Sequence, residues 1–197
     1  ALPEVSADFR HFVFTLRPGI LFADDPVFGG RPRELVAADV VYTIKRYYDP
    51  ALRSEHLYQF ENAKILGLSE LRRRAIASRT PFPYDTEVAG LRALDRYRFE
   101  LRLAEPAPRF VHVFANPQLT GTVAREVIEA YAADPMAHPV GTGPFRLAQW
   151  RRASRIVLER NPRYREHRYA AAPAEGDAEG RAIAERLRGR RLPLLQR

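Results

Sequence analysis

From Pro139 to Tyr164 the chain reads Pro-Val-Gly-Thr-Gly-Pro-Phe-Arg-Leu-Ala-Gln-Trp, then Arg-Arg-Ala-Ser, then Arg-Ile-Val-Leu-Glu-Arg-Asn-Pro-Arg-Tyr. No other stretch restricts the fold as tightly. Two glycines and two prolines punctuate a turn into one strand-length run, a four-residue connection follows, and an Asn-Pro stop ends a second run. Strands joined by so short a connection pair antiparallel, so this segment is predicted to be a hairpin.

Upstream the hydrophobic period alternates between two values. Over 11–17, Phe12, Phe14 and Leu16 fall on one face and Val13 and Thr15 on the other, a strand pattern that Pro18-Gly19 ends. Residues 23–33, with Asp24-Asp25-Pro26 and Gly29-Gly30, read as a loop. Val36, Val40, Ile44 and Tyr47 then recur at helical spacing, with Ala37, Val41 and Tyr48 beside them. Asp49-Pro50 closes this helix, because a residue before proline is pushed out of the α region. Residues 51–66 read as irregular to helical, and 67–79 as a basic amphipathic helix with Leu68, Leu71, Ala75 and Ile76 as its stripe.

Residues 91–94 and 97–103 form a second predicted hairpin around Asp95-Arg96. In it Tyr97, Phe99, Leu101 and Leu103 alternate with Arg98, Glu100 and Arg102, which implies one buried and one wet face. Short helices are expected at 109–114 and at 123–132, the latter with Val123, Val127, Ile128 and Tyr131 inward. Strands and helices interleave without a regular repeat, so the predicted class is α+β, a mixed or antiparallel sheet with packed helices. The residues expected to hold this fold are Phe14, Leu16, Val40, Ile44, Phe99, Leu101, Phe145, Leu147, Ile156 and Leu158, with Trp150, the only tryptophan, as a core or hinge anchor.

A chain of 197 residues with 46% hydrophobic and 28% charged residues fits one domain or two small ones. No apolar run approaches the ~20 residues that span a bilayer, and Ala1-Leu2-Pro3-Glu4 has no basic-then-apolar signal pattern, so any export signal is expected to lie outside this sequence. The absence of cysteine excludes disulfides, thiolate zinc sites and a cysteine nucleophile. The net charge of +8 suggests nucleic acid until its distribution is read: residues 1–150 carry 19 Lys/Arg against 18 Asp/Glu, and residues 151–197 carry 13 against 6. The excess lies at the C-terminal end, where residues 170–180 lack the apolar side chains to offset the entropy of ordering them and 181–188 read as a short helix.

Enzyme chemistry finds no foothold. Histidines 11, 56, 112, 138 and 167 share no i, i+4 pairing and no carboxylate at metal-ligand spacing, so no metal or cofactor is expected. Asp24 and Asp25 lack the rest of a calcium loop and read as turn formers. There is no Gly-x-Ser-x-Gly elbow, and Gly141-Thr142-Gly143 is a poor phosphate cradle because Pro144 removes a backbone donor and a strand follows.

The 139–164 stretch closely resembles the GTGPY/F…IVLERNPxY segment of the family 5 extracellular solute-binding proteins, the peptide- and nickel-binding subunits of ABC importers. Phe14-Thr15-Leu16-Arg17-Pro18-Gly19-Ile20-Leu21-Phe22 is similar to that family's TFxLRxGVxF strand, and Ala37-Ala38-Asp39-Val40-Val41-Tyr42-Thr43-Ile44-Lys45-Arg46 to its LTAxDVVYSxxR helix. The run 96–106 is similar to its strand ending LxxPxP. The resemblance covers residues 10–170. It departs at Val36, which stands where the family usually places a Ser or Thr cap, a loss of about 1 kcal/mol, and Asp39 alone supplies a favourable carboxylate near the helix start.

The resemblance implies part of a type II periplasmic binding protein fold. Residues 1–169 would be a partial N-terminal lobe, and 170–197 a flexible basic tail leading to a second lobe that this sequence lacks. It implies a periplasmic, non-enzymatic protein that binds an oligopeptide or similar small solute between two lobes and delivers it to ABC transporter permease subunits, with no nucleic acid and no membrane insertion. The ligand-facing positions it implies are Arg53, His56 and Tyr58 after the helix, and Asn116 and Gln118 after the LxxPxP strand. The family's strongest anchors, a carboxylate and an arginine that grip peptide termini, lie largely in the other lobe. One lobe alone loses the water exclusion that strengthens polar contacts, so weak binding at best is expected of it. The rival reading is a basic module that uses 151–197 on nucleic acid or anionic membrane; a hydrolase would instead need a cleft with paired, pKa-shifted groups.

Overall fold

A computed structural model describes residues 2–193 and 195. Ala1, Leu194, Gln196 and Arg197, which belong to the stretches 1–169 and 170–197 discussed above, lie outside the described residues. The chain forms two compact units, one of residues 1–18 and 35–129, the other of 19–34 and 130–197.

The first unit is a four-stranded antiparallel sheet under helices. Its strands are β1 (Glu4–Val5), β2 (His11–Thr15), β3 (Leu91–Ala93) and β4 (Arg98–Arg102), in the order β1-β2-β4-β3. The register sets Phe12 opposite Leu101 and Phe14 opposite Phe99, so the alternation read from each strand converges on one face. Helices α1 (Ala37–Tyr48), α2 (Leu57–Asn62), α3 (Leu68–Ser78) and α4 (Pro117–Thr120) complete the unit, which ends within α5 (Arg125–Ala130). The core joins Phe12, Phe99, Leu91 and Leu101 to Ala37, Val40, Ile44 and Tyr48 of α1 and Leu68, Leu71 and Ala75 of α3. Phe14 stacks on Phe99 at 5.0 Å and leans on Phe114 at 4.3 Å.

Several expectations shift here. On α1 it is Tyr48 that is fully buried while Tyr47 is half-buried, and on α3 Ile76 is exposed. The 110–115 segment, expected as α-helix, is a 3₁₀ turn that presents Phe110 and Phe114 to the core edge. Val36 has the extended backbone of a cap (φ −126°, ψ 166°) and no side-chain oxygen, and the Asp39 carboxylate accepts its amide at 2.8 Å instead.

The wet face of β4 is not wet at its centre. Glu100 is 2% exposed, because Arg92 on β3 and His11 on β2 flank it across the sheet and Arg102 folds back over it. His11 Nε2 and Arg102 Nη2 reach Oε2 at 2.8 and 3.1 Å, and Arg92 Nε reaches Oε1 at 2.8 Å. The arginine stems supply the cover and the charged heads stay half in water.

Gly90 marks the closest backbone approach. Its amide donates to Leu66 O at 2.9 Å, and a Cβ on it would lie 2.3 Å from Leu66 N, so only glycine fits.

In the second unit, β5 (Phe145–Arg151) and β6 (Arg155–Arg160) make the predicted hairpin, with an irregularity between Leu147 and Gln149. Asn161 of the Asn-Pro stop is 1% exposed and stitches its base: Nδ2 donates to Gly143 O at 2.9 Å and Oδ1 accepts from Arg163 N at 2.9 Å. Phe145 and Leu147 are half-buried, but Ile156 is 64% and Leu158 47% exposed, and Trp150 is 40% exposed under the Arg152 guanidinium. Among the described residues, Ile156 and Leu158 therefore do not hold this fold, and Trp150 is not a core anchor. Asp25 caps the Pro26–Phe28 turn by accepting from Val27 N at 3.0 Å, the turn-forming role read from sequence.

Beyond β6, α6 (Ala178–Leu187) begins three residues earlier than expected, because Asp177 accepts from Gly180 N at 2.7 Å. Backbone bonds Tyr169 N to Arg190 O, Gly189 N to Tyr169 O and Leu192 N to His167 O close the chain around it.

Candidate functional site

All five implied ligand-facing residues lie in the first unit, on two segments that hang from the C-terminal end of α1. Pro50 starts a 3₁₀ turn (Pro50–Leu52) and Arg53 ends it in the left-handed region (φ 46°, ψ 43°). Arg53 and Tyr58 are exposed, and His56 is half-buried at the start of α2. Gln59 Nε2 donates to the Tyr58 hydroxyl at 3.1 Å. On the second segment, the Asn116 side chain accepts from Gln118 N at 3.0 Å and so caps α4, with Pro117 at the first helical position. Its carbonyl oxygen takes Leu119 N and Thr120 N, while Gln118 stays exposed. Asn116 is thus committed to shaping the segment, and Gln118 is the freer of the two.

Tyr47 brings the segments together. Its ring packs on Phe60 of α2 at 4.6 Å, and its hydroxyl donates to Leu119 O at 2.7 Å and Gln118 O at 3.3 Å. Among the described residues no hydrogen bond or ion pair joins Arg53, His56 or Tyr58 to Asn116 or Gln118, so one aromatic residue of α1 sets their common frame. Sequence reading placed Tyr47 in the core stripe and missed this. The signal was present in its half-apolar, half-polar side chain at a helix end.

A second group at the same helix end also escaped notice. Asp49, read only as a helix stop, is buried: Oδ1 accepts from Ala51 N at 2.9 Å and Oδ2 from the Tyr84 hydroxyl at 2.6 Å. Lys45, 5% exposed, donates to Tyr84 O and Thr86 O, each at 2.7 Å. Burial pulls its pKa below the ordinary lysine value, although Asp85 and Glu87 oppose the change. Arg125 holds Asp85 at 2.5 Å and, with that bond as the main cause, the Asp85 carboxyl stays below the usual range. Asp before Pro is a recurrent turn former whose carboxylate bonds the amide two residues on, the one cue in the sequence that marked Asp49.

Among the described residues no group of three or more His, Asp or Glu gathers to hold a metal ion. In the second unit an open concavity of about 470 Å³ is lined by Ala148, Gln149, Arg155, Val157 and Glu159, and by none of the five.

The sheet, helices and hairpin together are part of a type II periplasmic binding protein fold. They superpose on Haemophilus influenzae OppA in complex with RPPGFSPFR (TM-score 0.64, 24% identity, 82% of this chain and 29% of that one). They superpose also on the Escherichia coli murein tripeptide binding protein MppA (TM-score 0.63, 24% identity, 82% and 29%). At this identity the likeness defines the class by its fold. The chain belongs to the bacterial extracellular solute-binding proteins, family 5 (middle), whose family model matches residues 1–181.

Among curated relatives it is 31% identical over 160 residues to the periplasmic oligopeptide-binding protein OppA of Salmonella typhimurium, covering 80% of this chain and 26% of that protein. It is 26% identical over 156 residues to the glutathione-binding protein GsiB of Escherichia coli O1:K1, covering 79% and 24%. The chain thus spans 24% to 29% of the length of these proteins. The rival reading of 151–197 as a basic nucleic-acid or membrane module finds no support among them, and no described helix is long and apolar enough to cross a membrane.

Proposed function

We propose that this chain supplies one side of the solute site of a periplasmic, non-enzymatic binding component that serves an ABC importer and its permease subunits. The solute is an oligopeptide or a similar small molecule. In this reading 1–169 is part of the N-terminal lobe and 170–197 leads toward a second lobe that contributes the remaining contacts. The observation that carries it is Tyr47: one residue frames both Arg53–Tyr58 and Asn116–Gln118, the two segments that the family resemblance turns toward ligand. The exposed side chains of Arg53, Tyr58 and Gln118 are of the polar and aromatic kind that suits a peptide backbone, which offers donors and acceptors along its length.

The test is isothermal titration with a tripeptide library, comparing this chain with a longer family 5 protein that carries it together with a second lobe. The two-lobed protein is expected to bind at least one peptide tightly and this chain at least tenfold more weakly, since only the former excludes water. Arg53→Ala and Tyr58→Ala should each weaken peptide binding by about 5- to 10-fold in the two-lobed protein. Absence of binding to any peptide, or affinities untouched by both substitutions, refutes the reading.

A further inference from the structure

Arg53, His56 and Tyr58 follow directly on Asp49, and both oxygens of that buried carboxylate are in use. One ties the turn through Ala51 N, and the other takes the hydroxyl of Tyr84, 35 positions away. Arg53 comes immediately after, in a left-handed conformation that a non-glycine residue holds only when its surroundings impose it. We propose that Tyr84 and Asp49 form a latch that fixes the Pro50–Tyr58 loop and so positions Arg53 toward the solute; this rests on the reading of the site given above.

The geometry separates the latch from the rest of the fold. Tyr84 is held without its hydroxyl: its carbonyl accepts from Lys45 Nζ, its ring lies 4.9 Å from Tyr42 and 5.1 Å from Phe82, and the adjacent Asp85 is gripped by Arg125. The hydroxyl therefore has one task, to hold Asp49 Oδ2. Removing it leaves a buried carboxylate oxygen without its donor, and the carboxylate regains a partner only by turning toward water and releasing Ala51 N. Burial first, and the Asp49 bond second, push the Tyr84 phenol far above its ordinary pKa, so the hydroxyl remains a donor across the physiological range.

The test compares the full chain with Tyr84→Phe, which keeps the ring, by hydrogen exchange read on peptides and by calorimetric titration with trialanine up to millimolar concentration. Amides 51–53 are expected to exchange about 5- to 10-fold faster in the variant, with α3 unchanged. Trialanine, where the parent chain binds it, should bind several-fold more weakly to the variant. Unchanged exchange over 50–58, or an equal rise in every segment, overturns the latch; so does local loosening with trialanine affinity unaltered. Local loosening with no trialanine bound by either protein supports the latch, and the solute-binding reading is then decided in the two-lobed protein, where Tyr84→Phe should weaken peptide binding several-fold and an unaltered affinity overturns the positioning of Arg53.

Discussion

Glu100→Gln is the sharpest test of how the sheet is held. The carboxylate is 2% exposed and accepts from Arg92, His11 and Arg102, three side chains that are themselves 41–47% exposed. Removing one partner from a fully buried ion pair costs about 3–5 kcal/mol, and a hydrogen bond to a charged group about 1.5–3 kcal/mol. Water re-solvates the half-exposed partners here, so the lower range applies, although the new amide NH₂ also faces donors. The expected loss is about 2–3 kcal/mol, or a Tm drop of ~8–15 °C for a cooperative unit near 100 residues.

The pH dependence is fixed in sign. Burial raises the Glu100 carboxyl, but the bonds from Arg92, His11 and Arg102 outweigh it and hold the pKa below the usual glutamate range. Such a group contributes stability that is full above its unfolded value, about 4.3, and is lost as pH falls through the lower folded value. Urea titrations followed by circular dichroism should show the full gap between parent and variant at neutral pH and a shrinking one below about pH 4. Equal midpoints at neutral pH, or a gap that does not shrink in acid, would refute the argument.

Other substitutions probe other joints. Gly90→Ala drives a Cβ into the Leu66 backbone and should cost about 3 kcal/mol in urea unfolding, with a loss under about 1 kcal/mol counting against the close approach. Val36→Ser places an oxygen on a residue already in cap geometry and should raise stability by about 0.5–1 kcal/mol; a lower Tm would show that its half-buried methyls matter more. Tyr48→Phe removes a buried hydroxyl that has no hydrogen-bond partner among the described residues, and a gain of about 1 kcal/mol is expected, a comparable loss being the contrary result. Ile156→Thr with Leu158→Thr should change the unfolding free energy measured in urea by no more than about 0.5 kcal/mol, since both side chains are largely in water, whereas a loss above about 2 kcal/mol would mean that this face is covered.

What the sequence could announce was whatever depends on near neighbours. The period-two runs of β2 and β4 and the 3.6-period run of α1 were legible because each encodes its own inward face, and Phe14 meeting Phe99 follows once two such strands pair. The Asn116 cap and the Asp25 turn were local too. Glu100 was not: its cover comes from Arg92, eight positions away, and from His11, 89 positions away.

The hairpin shows the complementary failure. The alternation over 155–160 states which side chains share a face, and Ile156 and Leu158 do share one, yet alternation carries no word on whether another element lies against it. The site divides along the same line. The segments bearing Arg53 and Gln118 were singled out by the family resemblance, while Tyr47 and the Tyr84–Asp49 bond, which in the reading proposed above set how those segments are presented, join positions 35 to 72 residues apart and exist only once α1 is packed. Substitutions at the displayed residues should therefore alter affinity alone, and substitutions at the joining residues should alter loop order first and affinity as its consequence.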